Sequence, residues 1–196
     1  MNLYLRLLVT WLLARWWKPP IRLGDTIEMK MRVWPNDVDV NGHMNSGRTM
    51  TVTDLAMIEY VTRAGFLAVC LRNGWRPLMG GAIISFRHSL LPLRRFTLRM
   101  TMTCWDDRWS YMHFEFLQGG RTTAAGYLKG AIVGRKGIVH NDEARTAHGS
   151  ELVSPAFPAS VTAWVEADRG VRQEVDRRPF APAEGVLQRG APESSS

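Results

Sequence analysis

Between Arg95 and Arg135 the chain alternates apolar and polar residues in three successive runs, separated by breaks only a few residues long. In RFTLRMTMTCW, the residues Phe96, Leu98, Met100, Met102 and Cys104 share one face, and Thr97, Arg99, Thr101 and Thr103 share the other. That is the period of a half-buried strand. WSYMHFEFLQ sets Met112, Phe114 and Phe116 opposite Tyr111, His113 and Glu115. WDDRW before it reads as a hairpin turn rather than a site, and GGR after it turns the chain into TTAAGYLKGAIVGR. Turn signals at these intervals predict antiparallel hairpins, not parallel crossover units. In the last run Gly126, Gly130 and Gly134 share one parity, which predicts close approach of a neighbouring backbone.

Two more strands are expected upstream. Ile27, Met29, Met31 and Val33 alternate with Glu28, Lys30, Arg32 and Trp34, and LMGGAIISFRHSL forms another strand candidate. Between them, from about Ser46 to Leu71, lies a segment apolar around much of its circumference, with Gly65 as its main internal breaker. It predicts one long buried helix, closed by RNGW with Gly74 as the C-terminal cap. One buried helix against a curled antiparallel sheet is an α+β arrangement. At 196 residues the chain suits a single well-buried core with additions.

The additions lie at the two ends. MNLYLRLLVTWLLARWWKPP is interrupted by Arg6 and Arg15, which leaves too short an apolar run to span a bilayer, and no signal-peptide pattern is present. Residues 1–20 are expected to form a helix stopped by Pro19 and Pro20. It packs on the domain or a neighbouring subunit, lies at a membrane surface through Trp11, Trp16, Trp17 and Lys18, or acts as an anchor. Residues 21–150 make up the main domain. Residues 151–176 hold one short helix capped by Ser160, and the Pro-, Gly- and Ser-rich residues 177–196 read as a disordered tail.

Several chemistries drop out. There is no phosphate-binding glycine loop, dinucleotide fingerprint or nucleophile-elbow serine. His43, His88, His113, His140 and His148 show no zinc-ligand spacing, so no metal is expected. A net charge of +7 favours anionic partners, but the basic residues are dispersed, which argues against nucleic acid. Cys70 and Cys104 are the only cysteines; both sit in apolar surroundings and read as reduced core thiols. That predicts a cytoplasmic setting, free or peripheral at the inner membrane surface.

The polar chemistry concentrates in NDVDVNGHMNSGR, Asn36 to Arg48, between the first strand and the long helix. By residue type alone these are turn and cap formers with the makings of a carboxylate site. DVDVNGHMNSGR resembles the D-x-D-x-x-G-H-x-N-N signature of the 4-hydroxybenzoyl-CoA thioesterase-like hot-dog superfamily. Together with SFRHSLLPLRRFTLRMTMTCWDDRWSYMHFEF and the apolar prefix, residues 1 to about 140 are similar to the thioesterase superfamily member 6 group. The resemblance implies a hot-dog fold, a curled antiparallel sheet wrapped around one long central helix. It implies a homodimer or tetramer with sites at subunit boundaries, and acyl-CoA thioester hydrolysis with coenzyme A entering only as part of the substrate.

The catalytic carboxylate would be Asp39, with His43 orienting it or a water. Asn45, Ser46 and Gly47 would cap the helix or bind the carbonyl oxygen. Asp54, on the helix, is the reserve base, and Asp37 is assigned to turn structure. Arg87, Arg94, Arg95 and Arg99 are candidate contacts for phosphates. A helix N-terminus suits the developing oxyanion, and a thiol with a pKa near ~8.5 leaves without a strong acid. The alternative is a hot-dog that binds acyl-CoA or lipid without cleaving it. Where relatives carry an aromatic after N-N-x-R, this chain has Thr49.

Overall fold

The computed structural model describes residues 3–177, in two units, Met1–Phe157 and Pro158–Ser196. The first holds α1 (Leu3–Trp16), β1 (Thr26–Arg32), a 3-10 turn (Pro35–Asp37), α2 (Ser46–Arg63), α3 (Phe66–Arg72), β2 (Arg76–Phe86), β3 (Arg95–Trp105), β4 (Ser110–Gln118), β5 (Arg121–Gly134), β6 (Gly137–Val139) and α4 (Asn141–His148). The described part of the second unit consists essentially of α5 (Ala159–Arg177).

All strand pairs are antiparallel, in the order β1-β3-β4-β5-β2, with β6 added to β5. The period-two pattern explains the sheet. Ile27, Met29, Phe96, Leu98, Met100, Met112, Phe114 and Phe116 all point to one face and are buried against Val52, Leu55, Ala56 and Tyr60 of α2. The expected layout, a curled antiparallel sheet around a central helix, is the one observed.

Four details differ from the sequence reading. The long helix is two helices: Gly65 adopts φ 76° and ends α2 at Arg63, a left-handed position that glycine fills without penalty. The His148 ring stands 2.7 Å from the Ala64 carbonyl at this break. Second, β6 and α4, absent from the sequence reading, follow β5 as short elements with weak periodicity. Third, α5 is 19 residues long and reaches Arg177, so Ser160 lies inside the helix and is not its cap. Fourth, Tyr111, assigned to the polar side of β4, is buried. Residues 150–157 return to the sheet, with the Trp105 amide donating to Ser154 Oγ at 2.8 Å and Phe157 meeting Tyr111 edge-on at 5.4 Å. The tail reading for residues beyond Arg177 lies outside the described residues.

Asp106 organises the WDDRW hairpin by accepting the amides of Arg108 and Trp109 at 2.8 and 2.7 Å. Gly126 does allow close approach, since a Cβ there would stand 2.0 Å from the Ile83 carbonyl oxygen. Helix α1 packs along α2, with Arg6, Thr10 and Ala14 buried.

Candidate active site

The loop between the 3-10 turn and α2 is a small closed hairpin. Val38 and Met44 form an antiparallel bridge, the Asp39 amide donates to the His43 carbonyl at 3.0 Å, and the Gly42 amide donates back to the Asp39 carbonyl at 3.0 Å. Gly42 has φ 76°, which only glycine takes without strain. Both ends of the hairpin are pinned, Met44 N–H to the Leu90 carbonyl and Asn45 N–H to the Asp37 carbonyl, at 3.0 and 2.8 Å. The loop is therefore a rigid mount at the start of α2.

Asp37 is the strut of that mount. It is 1% exposed, takes a two-pronged ion pair from Arg6 of α1 at 3.0 and 2.8 Å, and accepts the Trp34 amide at 3.0 Å. Arg48 Nε stands 3.8 Å away. Its structural assignment fits this bonding, but the turn reading did not anticipate its partner. The signal for Arg6 was a lone charge in an apolar run; its partner lies 31 residues away.

Asn45 is the N-cap of α2. Its Oδ1 accepts the amides of Gly47 and Arg48 at 2.9 and 3.3 Å, so the cap already holds Gly47 N–H. The Ser46 amide has no acceptor among the described residues and is the open donor at this helix terminus. A cavity of about 310 Å³ lies here, lined by His43, Ser46 and Thr49 together with Phe86, His88 and Thr123 among others. A wider cleft of about 700 Å³ adjoins it through shared His88, Ser89 and Thr123, and carries Arg94, Arg95 and Arg121. Of these, Arg94 and Arg95 are among the arginines the sequence offers for phosphates and His88 falls in a stretch that carries the resemblance, whereas Arg121 stands in no motif.

The structure brings His43 and Ser46 to one cavity, with Asp39 next to the His43 ring. The Asp39 carboxylate accepts the Asn41 amide at 2.9 Å and stands 3.9 Å from His43 Nδ1. It is not among the residues that line the cavity. Asp54, two turns along α2, is half-buried, and burial pushes its carboxyl above the usual 3.8. Among the described residues no group of three or more His, Cys, Asp and Glu side chains is placed to hold a metal ion.

An antiparallel sheet curled round a central helix is the layout of the hot-dog fold. The thioesterase-like superfamily profile matches residues 33–165, and the chain belongs to that family. It is 25% identical over 146 residues to Protein THEM6 of Xenopus laevis, covering 73% of this chain and 69% of that one. It is also 25% identical over 170 residues to Thioesterase poxG of Penicillium oxalicum, covering 79% of this chain and 50% of that one. Among solved structures, a gentisyl-coenzyme A thioesterase superposes with TM-score 0.56 at 19% identity, over 61% of this chain and 99% of that one. The 1,4-dihydroxy-2-naphthoyl-CoA thioesterase of Synechocystis gives 0.55 at 13%, over 65% and 98%. At these identities the structures establish the fold.

Proposed function

We propose that the protein hydrolyses acyl-CoA thioesters at the start of α2, using the Asp39 carboxylate. The observation that carries this reading is the meeting of the open Ser46 amide and His43 in one cavity, with Asp39 at 3.9 Å from the His43 ring. The thioester carbonyl oxygen takes the Ser46 N–H, where the helix terminus favours the growing negative charge. Asp39 either attacks the carbonyl carbon or removes a proton from the water that does, with His43 orienting it. The tetrahedral species then expels the thiolate, which takes up a proton to give free coenzyme A. On the water route this yields the carboxylic acid directly; on the route of direct attack it yields a mixed anhydride on Asp39 that a water molecule then cleaves to the acid and the restored carboxylate. The adjoining cleft, with Arg94, Arg95 and Arg121, suits the phosphates of the coenzyme A arm.

The site is completed in a homodimer. Among the described residues strand β2 pairs on one side only, with β5, and Phe86 at its end both lines the cavity and is half-exposed. A second β2 added there would extend the sheet and close the cavity. The two free, buried cysteines support a reducing, cytoplasmic setting.

Asp39→Asn is the test, with purified protein and release of free thiol from short, long and aromatic acyl-CoAs as the readout. Turnover is expected to fall by about 10²–10⁴-fold at an unchanged melting temperature. Undiminished turnover across the panel removes Asp39 from the chemistry. A second reading, an acyl-CoA binder that does not cleave, is favoured by the bond that turns the Asp39 carboxylate toward its own loop. Saturable binding by calorimetry with no thiol released by the wild type would establish it.

A further inference from the structure

Helix α1 is mounted inside out. Its buried residues, Arg6, Thr10 and Ala14, recur every fourth position at 5%, 9% and 4% exposure, while Leu5, Leu8, Trp11, Leu13 and Trp16 face solvent, with Trp17 just beyond. An ordinary surface helix does the reverse. The orientation is held by one buried ion pair and one partly exposed one. Arg6 forks onto Asp37, and Lys18, just past the helix, reaches the buried Glu59 at 2.5 Å. Rolling the apolar side inward would break the first pair and leave Asp37 buried without its guanidinium; it would also displace Lys18 from Glu59, which keeps Arg63 at 3.0 Å. The molecule therefore presents large apolar side chains outward by construction, and such a face marks a contact surface.

We propose that α1 is an in-plane anchor that seats the protein on an anionic lipid bilayer. Its 14 residues span about 21 Å, short of the ~30 Å hydrocarbon core. Among the described residues no helix is long and apolar enough to cross a membrane, so this one lies in the interface. Its C-terminal end has the required chemistry: Trp16 and Trp17 suit the headgroup level. The Arg15 guanidinium folds over the Trp16 ring at 4.9 Å, keeping its charge at the surface.

Charge selects the kind of lipid. No Asp or Glu precedes Asp25, and the cleft that borders the helix sets Lys30, Arg32 and Arg95 beside its Val9 and Leu13. Apolar insertion flanked by cations is the two-part signature of binding to acidic lipid. A second copy of the chain would bring the same cations against one another, which disfavours self-pairing through this face. Asp37 also supports the Asn45 amide through its carbonyl, so the docking helix and the loop bearing Asp39 are held in one frame.

The inference does not rest on the thioesterase reading. The test is co-sedimentation of the full chain with phosphatidylcholine vesicles, with and without phosphatidylglycerol. Partitioning is expected to be at least about tenfold stronger onto the anionic vesicles and to weaken with salt. Leu5→Ser/Leu8→Ser/Trp16→Ser is expected to lose at least about tenfold of that binding, with its melting temperature unchanged. Should the triple variant misfold, Trp17→Ser, at a position 75% exposed and beyond the helix, carries the same expectation at about threefold. Wild type that stays in the supernatant overturns the proposal, as does binding that ignores lipid charge or survives the substitutions. If light scattering shows that the triple variant halves the mass of a wild type that ignores vesicles, a second copy covers the face instead.

Discussion

Replacing Arg6 by Met tests the join between the N-terminal helix and the site loop. The two side chains of the Arg6–Asp37 pair are 5% and 2% exposed. Without the guanidinium, Asp37 retains the Trp34 amide and the Arg48 Nε at 3.8 Å, too little to compensate a buried carboxylate. Breaking one half of such a pair costs about 3–5 kcal/mol. For a chain of this size each kcal/mol moves the melting temperature by about 2–4 °C, so the expected drop is about 6–20 °C. Arg6→Met/Asp37→Asn removes both charges, keeps the Trp34 bond to the side-chain oxygen, and is expected to recover to within about 1 kcal/mol of wild type. Calorimetry on the wild type, the two single variants and the double variant measures the coupling. A single-variant loss below about 1 kcal/mol, or a double variant whose loss is the sum of the two, would refute the role assigned to this pair.

Two further outcomes follow from packing and burial. Burial raises the Asp54 carboxyl above 3.8, so the native state holds that proton more tightly than the unfolded chain does. The stability linked to it is present below pH 3.8 and is lost as pH rises through the higher native value. Asp54→Asn is thus expected to raise the melting temperature at neutral pH but not below pH 3.8, and to retain thiol release; loss of turnover in a folded Asp54→Asn would move the base from Asp39 to Asp54. Gly126→Ala would force a Cβ to 2.0 Å from the Ile83 carbonyl and 2.8 Å from Phe114 Cζ, costing about 3 kcal/mol in urea unfolding. The same change at Gly130, where the nearest atom is 3.4 Å away, should cost far less; equal losses would show that backbone approach is not the cause.

Much of the molecule could be read from short range. The meander from β3 to β5 follows from alternation and turn residues, because a strand with one buried face must repeat every two residues whatever it packs against. The position of the site loop was equally legible, since Asn45 and Ser46 are a cap and a first helical residue by their local bonding. Propensity over a window could not decide the break at Gly65, because one glycine in a helix costs only about 1 kcal/mol and the surrounding packing tips the balance. Tyr111 looked polar for a similar reason: its cover, Phe157, is 46 positions away in the chain.

The sequence by itself determined the period of each strand, the turns between them and the residue types gathered at the start of α2, all set by neighbours within a few positions. Tertiary structure alone decided that α1 turns Arg6 inward and its leucines and tryptophans outward. It also decided that Asn45 occupies the Gly47 amide and leaves that of Ser46 open, and that the Asp39 side chain reaches the His43 ring without itself lining the cavity. Each of these depends on an ion pair or a packing contact whose partner is distant in sequence, or on the direction of a side chain that residue type does not specify.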